Sequence, residues 1–267
     1  MESQGWFYNA TDRMADLEHP HLVRLVDRFE RTEQVAGAGA VSGFATPWID
    51  GDDLLAHVQG LDPDGVVQAF APLLFAVHYL HRRGWLHLDL KPSNVLVGAE
   101  GLVLIDLGSA RPVDVGAGEA GGTLGYAAPE VLLGEAPSQG SDVYSIGVML
   151  YQALAGAHPV GDHSGEALRS AMLDGELVPV RIAAREVPRD LANLVQGCLE
   201  RDPTVRTGTV VDVLQELRRI GHTLPREPLG APPLLGRDRE IEAAAGLLDA
   251  RTLTPVAVVG SKGVGAS

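Results

Sequence analysis

His87-Leu88-Asp89-Leu90-Lys91-Pro92-Ser93-Asn94 is the stretch whose reading decides the rest of the chain. It puts an aspartate, a lysine two residues on and an asparagine three beyond that into one tight loop. Those three groups together suit phosphoryl transfer. A carboxylate orients an attacking hydroxyl and accepts its proton, an ammonium neutralises charge on the moving phosphoryl group, and a carboxamide oxygen holds a magnesium ion. Working outward, Val95-Leu96-Val97 and Leu102-Val103-Leu104-Ile105 flank Gly98-Ala99-Glu100-Gly101, which predicts a β-hairpin. The hairpin leads into Asp106-Leu107-Gly108, a second candidate metal-binding aspartate set before a glycine. On the other side, Pro63 to Arg83 predicts a long helix with an apolar stripe of Val66, Val67, Phe70, Leu73, Leu74, Val77 and Leu80. Gly84 stops it, and Pro72 predicts either a kink or a start later than Pro63.

Further on, Gly122-Thr123-Leu124-Gly125-Tyr126-Ala127-Ala128-Pro129-Glu130 completes a set of three motifs in a fixed order. With all three in place, residues from about Leu17 to Ile220 resemble the eukaryotic-like (Hanks-type) serine/threonine protein kinases, with a bacterial character suggested by the bias to arginine, alanine, glycine and valine. The resemblance implies an α+β fold: a mainly helical large lobe with a partial β small lobe. It implies ATP and Mg²⁺ as cofactors and a protein as substrate. Asp89 would be the base, Lys91 the phosphate-charge stabiliser, and Asn94 and Asp106 the metal ligands. Thr123 would seat the substrate hydroxyl. Trp48 and Ile49 would meet adenine and Leu96 would floor it. Asp53 would bond the ribose or, equally, cap a helix. Asp142 would accept backbone N–H bonds from the catalytic loop, and Glu130 would pair with Arg206 in a structural ion pair. Ser141 predicts an N-cap for a helix through Ala155. Helices are expected near Glu166–Leu173, Pro188–Leu199 and Thr209–Ile220. Val23 to Phe29 alternates like a strand, and a helix ending near Leu17 should precede it.

Composition narrows the setting. A chain of 267 residues holds one large domain, or one domain and part of another. The net charge of −14 speaks against nucleic acid or an anionic membrane as partner. Cys198 is the only cysteine, so no internal disulfide can form, and a cytoplasmic location is expected. The longest apolar run, Val143 to Ala157, is too short to span a membrane.

The pattern departs from the family in two places. Lys91 and Lys262 are the only lysines, so the family's strand lysine has no counterpart before the catalytic loop, and no glycine-rich phosphate loop is present. Leu88 stands where the family has an arginine that binds a phosphorylated activation segment. The expected organisation is a partial small lobe (1–50), a large lobe (51–221), a proline-rich linker (222–235) and the start of a P-loop ATPase-like domain (236–267). That last domain rests on Gly260-Ser261-Lys262-Gly263-Val264-Gly265, where Ala266 replaces the motif lysine. Two functions stay open: a serine/threonine kinase, or a pseudokinase module controlling a fused ATPase domain.

Overall fold

The computed structural model of the chain describes residues 16–31, 41–114, 116–117 and 122–228. The helix expected before Leu17, the middle of the glycine-rich segment and everything from 229 onward lie outside these residues. A boundary between two units falls after Pro228.

The first described strands, β1 (Asp27–Arg31) and β2 (Val41–Ala45), form an antiparallel hairpin. β3 (Gly51–Asp53) pairs with β5 (Val95–Gly98), which pairs with β6 (Gly101–Leu104). Between them come α1 (Leu54–Val58), α2 (Pro63–Arg82) and β4 (Trp85–Leu86). β7 (Arg111–Pro112) pairs back onto β4. Then follow α3 (Pro129–Leu132), α4 (Gln139–Ala155), α5 (Gly165–Asp174), α6 (Val180–Ala183), α7 (Arg189–Cys198) and α8 (Val210–Arg219). This is the α+β, mainly helical architecture that the motifs imply. Among the described residues, no helix is long and apolar enough to cross a membrane.

Three local expectations need correction. The strand placed from Val23 starts only at Asp27. Leu22 makes a single parallel bridge to Leu104. The Val23 N–H is spent on the Leu104 carbonyl (2.8 Å), and the Leu104 N–H on the His21 carbonyl (2.9 Å). This segment therefore buttresses the edge of β6 and does not form a ladder of its own. Helix α2 does begin at Pro63, capped by the Asp62 carboxylate on the Gly65 N–H (2.7 Å), and runs unbroken through Pro72. Pro72 and Gln68, whose carbonyl loses its N–H partner to the proline, are both half-exposed, so water can serve that carbonyl. The N-cap of α4 is Ser138; Ser141 closes the capping box from N3 by bonding the Ser138 N–H (3.0 Å). Residues 222–228, the start of the expected linker, carry bonds to α2 from His222, Thr223 and Glu227.

The core gathers on α2 and α4. Phe70, Leu73, Leu74, Val77 and Leu80 of α2 are fully buried, as are Val143, Ile146, Val148 and Met149 of α4. Helix α7 closes on α4 at Gly147, where a methyl group would sit 2.8 Å from the Cys198 Cβ. Gly147→Ala is therefore expected to lower unfolding free energy by about 1–3 kcal/mol in a urea titration.

His19 supplies a pH dependence. It is buried and stacked on the Tyr79 ring with centroids 5.1 Å apart. Its Nδ1 accepts the His21 N–H (3.2 Å), so the ring proton lies on Nε2, which has no partner. Burial, and then the charges of His21 and His78, lower its pKa from 6.5 to about 4. Below 6.5 the unfolded chain takes up a proton that the folded chain refuses. Stability is therefore expected to fall as pH drops from 6.5 to 4, by roughly 2 kcal/mol from this residue. Denaturation of His19→Gln across that range should show a flatter profile; an unchanged slope would remove the assignment.

Candidate active site

The catalytic loop is hung from one buried carboxylate. Asp142, in the first turn of α4, accepts the backbone N–H of His87 (2.9 Å) and of Leu88 (2.8 Å). Its third bond comes from His81 Nε2 at the end of α2 (2.8 Å). Burial alone would push the Asp142 carboxyl up, but His81, the charge of His87 and the backbone bond outweigh it and hold it below the usual range. The loop needs that hold, because Leu88 sits at φ +63°, a left-handed conformation unfavourable for a branched side chain. Gly122 passes directly over this point: a methyl group there would lie 3.2 Å from the Leu88 carbonyl oxygen.

Three side chains then converge on Asp89. Thr123 Oγ1 donates to Oδ1 (2.7 Å). Lys91 Nζ donates to Oδ2 (2.8 Å) and also to Thr123 Oγ1 (2.8 Å). Asn94 Nδ2 donates to Oδ2 (3.1 Å) and to the Asp89 carbonyl (2.9 Å). Burial raises the Asp89 pKa, but the bonds from Lys91, Thr123 and Asn94 together leave it below the ordinary aspartate value. Asp89 is thus ionised at neutral pH and is better suited to orienting a hydroxyl than to stripping it of its proton early.

Asp106 reaches the site through backbone. The Ile105 N–H bonds the Asn94 carbonyl (2.8 Å). The buried His87 ring ties the two loops: its Nδ1 accepts the Asp89 N–H (3.3 Å) and its Nε2 donates to the Ile105 carbonyl (3.3 Å). Burial lowers the His87 pKa against the pull of the Asp142, Asp89 and Asp106 carboxylates. Asp106 is exposed, at φ +59°, and one of its oxygens holds the Gly108 N–H (3.1 Å). Its other oxygen and the Asn94 amide oxygen are hard donors of the kind Mg²⁺ takes, so the residues fit that ion. Among the described residues, no cluster of three or more His, Cys, Asp or Glu could hold a metal. An ion here would need water and phosphate oxygens to complete its shell.

Around this centre, β3 places Asp53 directly opposite Leu96, which is half-buried. The Asp53 carboxylate caps α1 through the Ala56 N–H (3.1 Å), so the capping role exists whatever else this residue does. Ile49 is half-buried just before β3, whereas the Trp48 side chain is 90% exposed. An open groove of about 590 Å³ passes Asp53, Pro92, Tyr126 and Gln152. Elsewhere in the helical lobe, Arg206 grips Glu130 with two bonds (2.7 and 2.9 Å), and Ser141 Oγ donates a third to Glu130 (2.7 Å). Arg206 spends its remaining donors on the carbonyls of Gly140, Glu200 and Arg201.

The family described as "Protein kinase domain" matches residues 7–217. The chain belongs to the protein kinase family. This kinase domain is 32% identical over 211 residues to the cGMP-dependent protein kinase of Eimeria tenella, covering 77% of the chain and 20% of that protein. It is 32% identical over 206 residues to the calcium/calmodulin-dependent protein kinase cmkA of Emericella nidulans, covering 74% of the chain and 49% of that protein. It is 27% identical over 263 residues to the serine/threonine-protein kinase PknB of Mycobacterium tuberculosis, covering 94% of the chain and 41% of that protein. The kinase domain therefore spans between about a fifth and a half of the length of these relatives. Its resemblance is to serine/threonine kinases.

Reading the sequence did not single out His81 or His87 for this kinase site. The available signal was a histidine lying on the buried side of α2, four residues after the apolar Val77, where a polar group must find a partner.

Proposed function

We propose that this kinase domain transfers the γ-phosphate of ATP to serine or threonine hydroxyls of protein substrates. The observation that carries the reading is the closed triangle of Asp89, Lys91 and Thr123, each within 2.8 Å of the next. An ionised carboxylate has about four lone-pair positions, so Asp89 can take a substrate hydroxyl beside its present bonds. Asp89 then orients that hydroxyl and receives its proton as the oxygen bonds to phosphorus. Thr123 fixes one edge of the approach, and Lys91 offers positive charge to the phosphoryl oxygens. Asn94 and Asp106 would hold Mg²⁺, which supplies charge neutralisation on the phosphates when bound. Ile49, Trp48, Asp53 and Leu96 are the proposed nucleotide contacts, and the groove past Tyr126 and Gln152 suits an extended polypeptide.

The retained, mutually bonded quartet favours catalysis over the pseudokinase alternative. The similarity to PknB over most of the chain supports a bacterial signalling kinase, and the single cysteine supports a cytoplasmic one. The glycine-rich run at 260–265 is the sole support for a fused ATPase-like domain after the linker. The test is incubation of the protein, as its gene encodes it, with γ-labelled ATP and a mixed protein substrate, followed by phosphoamino-acid analysis. Label on serine and threonine is expected. Label confined to tyrosine, or no label with nucleotide still bound, would overturn the reading.

A further inference from the structure

The chain does not swing free after α8. Residues His222 to Pro228 run extended along α2 and meet it at successive turns. His222 Nδ1 bonds Asp64 Oδ1 (2.7 Å) in the first turn. Gln68 Nε2 donates to the Thr223 carbonyl one turn on. Leu224 packs half-buried against the core. His78 Nδ1 bonds Glu227 Oε1 (3.0 Å) near the far end of the helix.

The order of contacts is the same along both segments, and their lengths agree. From Asp64 to His78 the helix rises about 21 Å, at 1.5 Å per residue. From His222 to Glu227 an extended chain covers about 17 Å, and side-chain reach makes up the difference. Pro225 and Pro228 hold their backbone near the extended form, which lowers the entropy lost on docking. The residue after His78 is Tyr79, whose ring stacks on His19 and whose hydroxyl accepts the Glu18 N–H (2.9 Å). That turn in turn receives the Leu104 N–H on the His21 carbonyl, at the end of the strand leading to Asp106.

We propose that His222–Pro228 is an anchoring strap. It fixes where the chain leaves α2, at His78. It is not a free tether. The strap is independent of whether the domain transfers phosphate.

Trypsin reports it directly, because Arg226 is exposed and lies inside the strap. The comparison uses the full chain, the double variant His78→Ala with His222→Ala, and Gln68→Ala alone. Cleavage after Arg226 should be slow in the parent and roughly tenfold faster in the double variant, with Gln68→Ala between them and the melting temperature of the domain unchanged. If the parent is cut after Arg226 as fast as the double variant, the segment is a loose tail and the proposal fails. It also fails if faster cleavage only accompanies a lowered melting temperature, because the two histidines would then be holding α2 itself.

Discussion

Asp89→Asn is expected to cut phosphate transfer by at least about 10²–10⁴-fold while leaving nucleotide affinity and the melting temperature close to the parent values. The reasoning is local. Asparagine has nearly the same shape, so Thr123 and Asn94 can still pack around it. What goes is the negative charge. Lys91 loses its partner at 2.8 Å, and a substrate hydroxyl loses the acceptor that orients it and takes its proton. Since kinase catalysis is mostly positioning and charge stabilisation, the loss belongs in kcat and not in the apparent affinity for ATP. Steady-state kinetics with saturating nucleotide, beside calorimetric titration of a non-hydrolysable ATP analogue, separates the two. A variant keeping half the parent rate would show that Asp89 is a structural carboxylate.

The second large effect is on stability. Arg206→Ala should cost about 3–5 kcal/mol, because it strands the Glu130 carboxylate inside the fold and frees three carbonyls as well. Arg206 and Glu130 are each only 4% exposed, and the carboxylate is held below its usual pKa: burial alone would raise it, but Arg206 and Ser141 outweigh burial. The paired substitution Glu130→Gln with Arg206→Met should cost less than the sum of the single changes, since neither charge is then left alone. Arg218→Ala on the exposed side of α8 is the control and should move the melting temperature very little. Equal shifts for Arg206→Ala and Arg218→Ala would dismiss the pair as a contributor to the fold.

The catalytic loop, the hairpin and the helical lobe were legible because each has a short-range cause. Two glycines bracket Ala99-Glu100, seven apolar residues line one side of α2, and Asp89, Lys91 and Asn94 are fixed by loop spacing alone. What stayed hidden depends on distant partners. Ser138 and Ser141 are equally good caps in sequence, and only the reach of Ser141 to Glu130 explains why the helix starts earlier. Val23 alternates like a strand residue, yet β6 claims its N–H. Asp142 needs His81 from a helix 61 residues back. Residues 222–228 look like a tether because the side-chain bonds that hold them reach α2, far back in the sequence. Pro72 misled in the other direction: a kink or a late start was expected from the cost of an interior proline, yet the helix starts at Pro63, and Gln68, whose carbonyl loses its partner, is half-exposed.

Leu88 settles one more matter. Its side chain is buried, and its strained backbone is pinned by Asp142, so position 88 itself offers no guanidinium to the activation segment. The segment itself, from Ala110 to Gly122, contains no serine, threonine or tyrosine at all. The first hydroxyl after Ser109 is Thr123, which is already committed to Asp89 and Lys91. Residues 110–122 therefore offer no hydroxyl for a phosphate to sit on.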